Sequence, residues 1–180
     1  IEDSLGDQHP TVARSLQIQA RVQIAEGRPH EARPLLKRAL KIWEDTVGFE
    51  HPRVAEATAD LASLDDSPST YERGIAQFNK AIELGTELLG PEHPEVARME
   101  FGLAELYLKR EMYDEADALL KEVMAVRKEA LVPYHPDIAV TLEAYARLLR
   151  EKTPADPDRA ASLEARAEAL REEHAEQNRP

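Results

Sequence analysis

A His-Pro dipeptide recurs at a constant interval, and this repeat constrains the fold more than any other feature of the chain. The interval is 42 residues each time, and the four dipeptides are His9-Pro10, His51-Pro52, His93-Pro94 and His135-Pro136. The neighbouring sequence recurs as well. One residue after each Pro is variable, and it is followed by a β-branched residue and an Ala. A fixed period of this length indicates a repeat architecture, in which each unit is one supersecondary element.

Each repeat is predicted to contain two helices. In the first repeat, Val12, Leu16 and Ala20 fall at helical spacing. Pro10 suits the first position of a helix, where its missing N–H would have no partner anyway. Gly27 suits the end of that helix, because Gly adopts the left-handed conformation at little cost. The first helix of the repeat is therefore bounded at both ends.

The second helix of the first repeat is predicted from an apolar pattern that runs from Ala32 to Val47 and ends at Gly48. Pro34 lies early in this pattern, and a Pro is tolerated only near the first turn of a helix. We therefore expect this helix to begin near His30.

The second and fourth repeats depart from the pattern. In the second, Ser69 and Glu72 have the spacing of a capping box. Gly74 and Gly85 fall inside the helix that follows and weaken it, so we expect this repeat to be the softest. In the fourth, the turn Thr153–Pro157 is longer, Asp156 is the expected cap, and a final helix is predicted from Asp158 to about Glu176.

The same alignment predicts one array over residues 1–180. Ile1–Gly6 aligns with Trp43–Gly48, so residues 1–8 are interpreted as the end of a preceding repeat. Four repeats follow, and they are predicted at 9–50, 51–92, 93–134 and 135–180. The second of them is degenerate, and the fourth includes a capping helix.

Charge and composition remove several classes of function. The chain has 35 acidic residues against 23 Lys plus Arg, a formal net charge of -12, and no Cys. An acidic balance argues against nucleic-acid binding, which depends on neutralising phosphates. The lack of Cys excludes disulfides, a thiolate nucleophile and Cys-ligated metal sites. No apolar run approaches the length needed to span a bilayer, so we expect neither nucleic acid nor membrane as a partner.

The repeats resemble tetratricopeptide repeats, specifically the 42-residue variety of kinesin light chains and many bacterial proteins. The third repeat matches that signature best, through Leu103-Ala104, Leu106-Tyr107, Tyr113, Ala116 and Leu120. The resemblance implies an all-α fold: a right-handed superhelical solenoid of stacked antiparallel helical hairpins, whose first helices line a concave face. It also implies a protein-protein interaction scaffold.

The sequence departs from the family where partners are recognised. Kinesin-type repeats carry an Asn pair just before the Leu-Ala of the first helix, and here the pairs are Gln17-Ile18, Ala59-Asp60, Phe101-Gly102 and Glu143-Ala144. The Lys and Asn carboxylate clamp of chaperone-binding members is also absent at matching positions. The specific recognition modes of those members are therefore not carried over.

The leading hypothesis is that a peptide or protein partner binds the concave face. Candidate residues are those on the first helices that spacing directs away from the core: Arg14, Gln17, Arg21, Glu56, Asp60, Arg98, Phe101, Glu105, Lys109, Glu143 and Arg147. Arg side chains suit bidentate pairing with carboxylates, so the partner is expected to carry acidic groups. Phe101 would be an apolar anchor.

A simpler interpretation competes with this hypothesis. Arg14, Arg98 and Arg147 would pair with Glu56, Glu105 and Glu143 of neighbouring helices, and Phe101 would belong to the core. The same sequence also leaves open a structural spacer that self-associates through its N-terminal edge, and a regulatory module of a larger signalling enzyme.

Neither a catalytic residue, a metal site nor a cofactor is predicted. The repeated His residues are interpreted as helix caps, because neighbours one repeat apart, at roughly 10 Å by helix packing distances, cannot share a zinc ion. No nucleophile elbow, phosphate-binding Gly loop or His-Glu-x-x-His motif occurs.

Overall fold

The computed structural model describes residues 6–152 and 155–179, and in these ranges it contains eight α-helices and no strand. The helices are α1 Pro10–Ala25, α2 Pro29–Val47, α3 Pro52–Ala62, α4 Tyr71–Leu89, α5 Pro94–Lys109, α6 Tyr113–Ala130, α7 Pro136–Glu151 and α8 Pro157–Gln177. The predicted alignment of Ile1–Gly6 falls almost wholly on residues 1–5, and the predicted turn includes residues 153 and 154; these positions lie outside the described residues.

The chain divides between Pro91 and Glu92 into two compact units. In the first unit α1 packs on α2, α3 packs on α4, and α2 also contacts α3. The second unit repeats this arrangement with α5 to α8. Each unit therefore consists of two helical hairpins, as the paired patterns in the sequence predict.

Apolar side chains of adjacent hairpins share one core within each unit. In the first unit, Val12 and Leu16 of α1 cluster with Trp43 of α2 and Val54 of α3. In the second, Ala104 and Leu120 cluster with Leu148 of α7. A hairpin cannot bury its apolar face alone, so the neighbouring hairpin supplies the missing partner. This sharing accounts for a core that needs few aromatic residues.

The four recurring His residues are N-caps. In each, the ring Nδ1 accepts a hydrogen bond from the backbone N–H two residues later, at distances of 3.1 to 3.2 Å. The capped helices are α1, α3, α5 and α7, and a Pro opens each of them. The cap interpretation of the His-Pro repeat is thus confirmed, and these rings hold helix ends in place.

The turns between paired helices differ in which residue takes the left-handed conformation. Gly27 has φ +73°, and Arg28 N–H donates to the Gln23 carbonyl at 2.8 Å. Glu111 has φ 60° and occupies the equivalent place after α5, where Met112 N–H donates to the Tyr107 carbonyl at 2.9 Å. Both are Schellman motifs, but a side chain at φ > 0 is strained where Gly is not.

The predicted cap of α4 is wrong. The helix begins at Tyr71 with Thr70 as N-cap, and no side chain caps it. The hydroxyls of Ser67 and Thr70 bond within the preceding turn instead, including a 3.2 Å bond from Ser67 N–H to Thr70 Oγ1. These local bonds form a turn of their own just before the helix.

Asp65 ties this irregular turn to two helices. Its buried carboxylate accepts bonds from Arg73 at 2.6 and 2.7 Å and from Arg33 at 2.9 Å. The hydrogen bonds from Arg73, helped by those from Arg33, hold the pKa of Asp65 below its ordinary value despite burial. Where the family pattern has a Tyr, this chain therefore has a carboxylate that forms ion pairs with two Arg residues.

Other helix limits agree with the sequence. Helix α2 begins at Pro29, one residue before the expected start, and keeps Pro34 inside it. Gly74 and Gly85 lie within α4 and are buried. Asp156 caps α8 by accepting from Arg159 N–H at 3.1 Å. The division into repeats and the softness of the second repeat stay predictions.

Candidate partner-binding surface

The first helices of the hairpins are α1 and α3 in the first unit and α5 and α7 in the second. In the second unit, a cleft of about 300 Å³ lies between α5 and α7. It is lined by Phe101, Glu105, Val140, Glu143, Ala144 and Arg147. Four of these six residues are among the predicted partner-binding residues, and their role in binding stays a prediction.

The cleft has an apolar floor between two ion pairs. Phe101, Val140 and Ala144 supply the floor, and Val140 is 36% exposed. Arg147 pairs with Glu105 across α5 and α7, and Glu143 pairs with Arg171 of α8. Both pairs are solvent-accessible, and exposed ion pairs are worth little, roughly 0–1 kcal/mol. A ligand can therefore exchange them at small cost.

Phe101 is held from beneath by a buried cation. The Arg127 guanidinium lies 4.6 Å from the centre of the Phe101 ring. Arg127 is only 3% exposed and donates to the Thr141 hydroxyl at 2.7 Å and to the Asp137 carbonyl at 2.9 Å. Burial lowers its pKa from the ordinary value, against the opposing effect of Asp137. The contact fixes the aromatic ring and puts positive charge beneath the cleft.

The corresponding surface of the first unit is filled by a polar network. Trp43 Nε1 donates to Gln17 Oε1 at 2.7 Å, and Gln17 Nε2 donates to Asp60 Oδ2 at 3.2 Å. Arg21 also donates to Asp60, with N···O distances of 2.9 and 3.1 Å. Gln17 and Asp60 are each 5% exposed. These two predicted binding residues therefore lie inside the unit, and Arg21 covers them.

The remaining candidates are distributed along the first helices. Glu56 is 7% exposed and pairs with Arg53 of its own helix at 2.8 Å. Arg98 is partly buried and pairs with Glu95 at 2.9 Å. Arg14 and Lys109 are exposed. Of the cross-helix pairs that the simpler interpretation predicts, the structure contains Arg147 with Glu105, whereas Glu56 and Glu143 have other partners.

Three residues that contact the predicted binding residues were not predicted from the sequence. Trp43 and Arg171 lie on second helices, whereas all of the predicted binding residues are on first helices. Arg127 has the spacing of the α6 apolar stripe, because it follows Val123 and Met124 by four and three residues. A charged residue on such a stripe is a signal of a buried, hydrogen-bonded cation.

Two kinds of feature are absent from the described part of the chain. Residues 6–152 and 155–179 contain no group of three or more His, Asp or Glu arranged to hold a metal ion. No helix in these ranges is long and apolar enough to cross a membrane.

Comparison with protein families identifies the repeat. One tetratricopeptide repeat family matches residues 69–129 and 99–173, and another matches residues 20–53. The first of these spans more than half of the chain. Comparison with curated proteins gives no match.

Solved structures share the fold. BtubC (BKLC) from P. vanneervenii aligns with a TM-score of 0.71 and 22% identity, over 99% of this chain and 70% of that chain. A Podospora anserina protein assigned as a kinesin light chain, with nearly identical TPR-like repeats, aligns with TM-scores of 0.63 and 0.60 in two structures. Both are 24% identical and cover 99% of this chain and 82% of that chain.

These comparisons confirm the all-α, TPR-like fold and its likeness to kinesin light chain repeats. Tetratricopeptide repeats generally mediate protein-protein interactions and are typically non-enzymatic scaffolds. From its repeats, its helical hairpins and these matches, the chain belongs to the tetratricopeptide repeat family.

Proposed function

We propose that the chain binds a protein or peptide partner through its first helices, and that the α5–α7 cleft is the principal contact. The observation that supports this most is the apolar floor of Phe101, Val140 and Ala144 between two exposed ion pairs. An apolar side chain of the partner enters the cleft and contacts Phe101. Buried aromatic anchors of this kind dominate the energy of many interfaces.

An acidic group on the partner completes the contact. Arg147 is 42% exposed and already pairs with Glu105 across the cleft. A carboxylate of the partner replaces Glu105, and Arg binds carboxylates in a bidentate manner. Because the exchanged pair is exposed, little free energy is lost when it opens. The partner therefore combines an apolar side chain with a nearby carboxylate.

Variants of the cleft test this proposal. Peptides selected from a display library against the whole chain are measured by fluorescence anisotropy with wild type, Phe101→Ala and Arg147→Ala. We expect each substitution to weaken binding about tenfold or more, because each removes a central contact. Phe101→Leu keeps an apolar side chain in the cleft and should bind with intermediate affinity.

The matched control is Arg150→Ala, on the same helix as Arg147. Arg150 pairs with Glu164 of α8 at 2.7 Å and does not line the cleft. Its substitution should leave affinity unchanged, and circular dichroism should give the same helix content for all variants. If Phe101→Ala and Arg147→Ala fold normally and bind every selected peptide as wild type does, the cleft is not the binding site.

A further inference from the structure

A second groove of about 370 Å³ lies between α6 and α8, the second helices of the two hairpins in the second unit. Its lining consists of Lys121, Met124, Ala125, Lys128, Leu142, Tyr145, Arg159, Leu163 and Arg166. On α6 and on α8 these positions are three or four residues apart, so each helix presents one continuous face to the groove. We call it the basic groove.

The basic groove is on the opposite side of α7 from the α5–α7 cleft. Val140, Ala144 and Arg147 face that cleft, whereas Leu142 and Tyr145 form the floor of the basic groove. At ~100° per residue, these two sets point in roughly opposite directions from the helix axis. The two surfaces can therefore be altered independently.

The charge of the basic groove is unexpected in this chain. Four cations line it and no carboxylate does, although the whole chain carries a net charge of -12. Lys121 pairs with Asp117 at 2.8 Å. Within the described ranges, Lys128, Arg159 and Arg166 have no ion-pair partner. Elsewhere in the same unit, Arg147 and Arg150 are paired with carboxylates.

The floor of the basic groove suits an apolar side chain. Met124 and Leu142 belong to one core cluster, and Leu163 packs against it from α8. Met adapts its shape to different partners more readily than branched side chains do. The Tyr145 hydroxyl donates a hydrogen bond to Asp117 at 2.6 Å. This bond keeps the Tyr145 ring at the end of the floor. The groove therefore combines an apolar base with unpaired cations on both walls.

We propose that the basic groove binds an acidic segment of a protein partner. A Leu-like side chain of that segment packs on Met124 and Leu163, and its carboxylates pair with Lys128, Arg159 and Arg166. Charge complementarity selects this occupant, because Lys128 on one wall and Arg159 and Arg166 on the other have no ion-pair partner among the described residues. The nearby Asp117 is already bound to Lys121 and Tyr145. The overall negative charge repels acidic partners at long range, so recognition depends on these short-range contacts. This proposal concerns a surface separate from the α5–α7 cleft and does not depend on it.

The probe is a fluorescein-labelled peptide in which Glu and Asp flank a Leu-x-x-Leu core, measured by fluorescence anisotropy. A second peptide replaces the acids with Gln and Asn, and a third replaces both Leu residues with Ala. We expect the acidic Leu peptide to bind, and both altered peptides to bind about tenfold more weakly or not at all. Equal binding of the Gln and Asn peptide would overturn the proposal.

Charge reversal in the chain gives the complementary test. Lys128→Glu combined with Arg166→Glu should weaken binding of the acidic peptide at least about tenfold. The control combines Lys37→Glu with Lys80→Glu, exposed cations of the first unit that make the same change in net charge. Its affinity should change about threefold at most, because only the long-range field differs. Equal losses in both double variants would mean that net charge, and not the groove, decides binding.

Two further outcomes would replace the proposed occupant. Sedimentation equilibrium is measured for wild type and for the Lys128→Glu and Arg166→Glu double variant without peptide. If wild type self-associates and the double variant does not, the groove binds a second copy of this chain. If phosphatidylserine vesicles bind in a groove-dependent manner and the acidic peptide does not, the groove contacts a membrane surface. Either result overturns the proposal of an acidic peptide segment.

Discussion

The first helices of the two units use the same repeat positions for opposite purposes. Gln17 and Phe101 are equivalent positions of the repeat, as are Asp60 and Ala144. In the first unit, Gln17 and Asp60 are buried in a network with Trp43. In the second, Phe101 and Ala144 leave an open cleft with an apolar floor. The comparison teaches that repeat position fixes where a side chain projects, whereas its chemistry decides whether the surface is sealed or open.

The largest effect on stability is expected from breaking the buried network of Trp43, Gln17 and Asp60. Asp60→Ala gives the first unit the residue that the second unit has at this position, and it leaves Gln17 and Arg21 without their shared acceptor. We expect a loss of about 2–3 kcal/mol in the free energy of unfolding, because buried polar groups are left without a partner. Urea denaturation followed by circular dichroism measures it.

Two variants sharpen this first prediction. Asp60→Asn keeps an acceptor oxygen and should be less destabilising. Arg147→Ala opens an exposed pair of the second unit and should cost less than about 1 kcal/mol. Losses of the same size for Asp60→Ala and Arg147→Ala would contradict the distinction between a sealed and an open surface.

The next effect concerns a carboxyl group at a position that is apolar in the first and fourth repeats. Glu100 is equivalent to Leu16 and Leu142, both of which are core residues. Burial, together with the nearby charge of Glu122, raises the pKa of Glu100 to about 7. The folded state therefore holds this proton more tightly than the unfolded state, whose ordinary value is 4.5. The contribution of Glu100 to the free energy of unfolding should therefore be greatest below about pH 4.5. It should decrease as the pH rises through 7.

Glu100→Gln tests this pH dependence. At pH 8 the variant should be more stable than wild type by roughly 1–2 kcal/mol, which is less than the full pKa shift implies because the carboxyl is partly solvated. At pH 5 the difference should largely disappear. Thermal unfolding at the two pH values measures the change, and Glu122→Gln should reproduce a smaller part of it. A variant that is equally stabilised at both pH values would point to packing in place of charge.

The smallest effect concerns the turns after α1 and α5. Gly27 and Glu111 are equivalent positions, and both have positive φ. Glu111→Gly should stabilise the second unit by about 0.5–1 kcal/mol, because it relieves a left-handed side chain. Gly27→Ala should destabilise the first unit by about 1 kcal/mol, and by strain alone, since no atom lies within 4 Å of the added Cβ. Chemical denaturation of both variants gives the two signs; a destabilising Glu111→Gly would contradict the strain argument.

Much of the fold was predictable because its signals are local. The four His-Pro steps, Gly27 and the Asp156-Pro157 step each act through their own backbone, so the sequence predicts six helix limits from them alone. The cap of α4 was not predictable in this way. Ser69 has the right spacing, but the hydroxyls of Ser67 and Thr70 compete with it by bonding in the turn before the helix.

The candidate surface was predictable only in part, for a different reason. Helical spacing placed Phe101, Glu105, Glu143 and Arg147 on facing stripes, and these four line one cleft. It could not show that Trp43 reaches from α2 to bind Gln17, which turns a predicted surface residue into a buried one. The basic groove was missed as well, because its walls are second helices and its character depends on which cations lack partners.

The histidine caps also determine where the protons of the imidazole rings reside. A ring nitrogen that accepts a hydrogen bond carries no proton, so in His9, His51, His93 and His135 the neutral ring must be protonated at Nε2. The repeat thus selects a single tautomer four times along the chain. Nitrogen-15 chemical shifts distinguish the two tautomers, so each hairpin contains its own spectroscopic reporter of whether its first helix is capped.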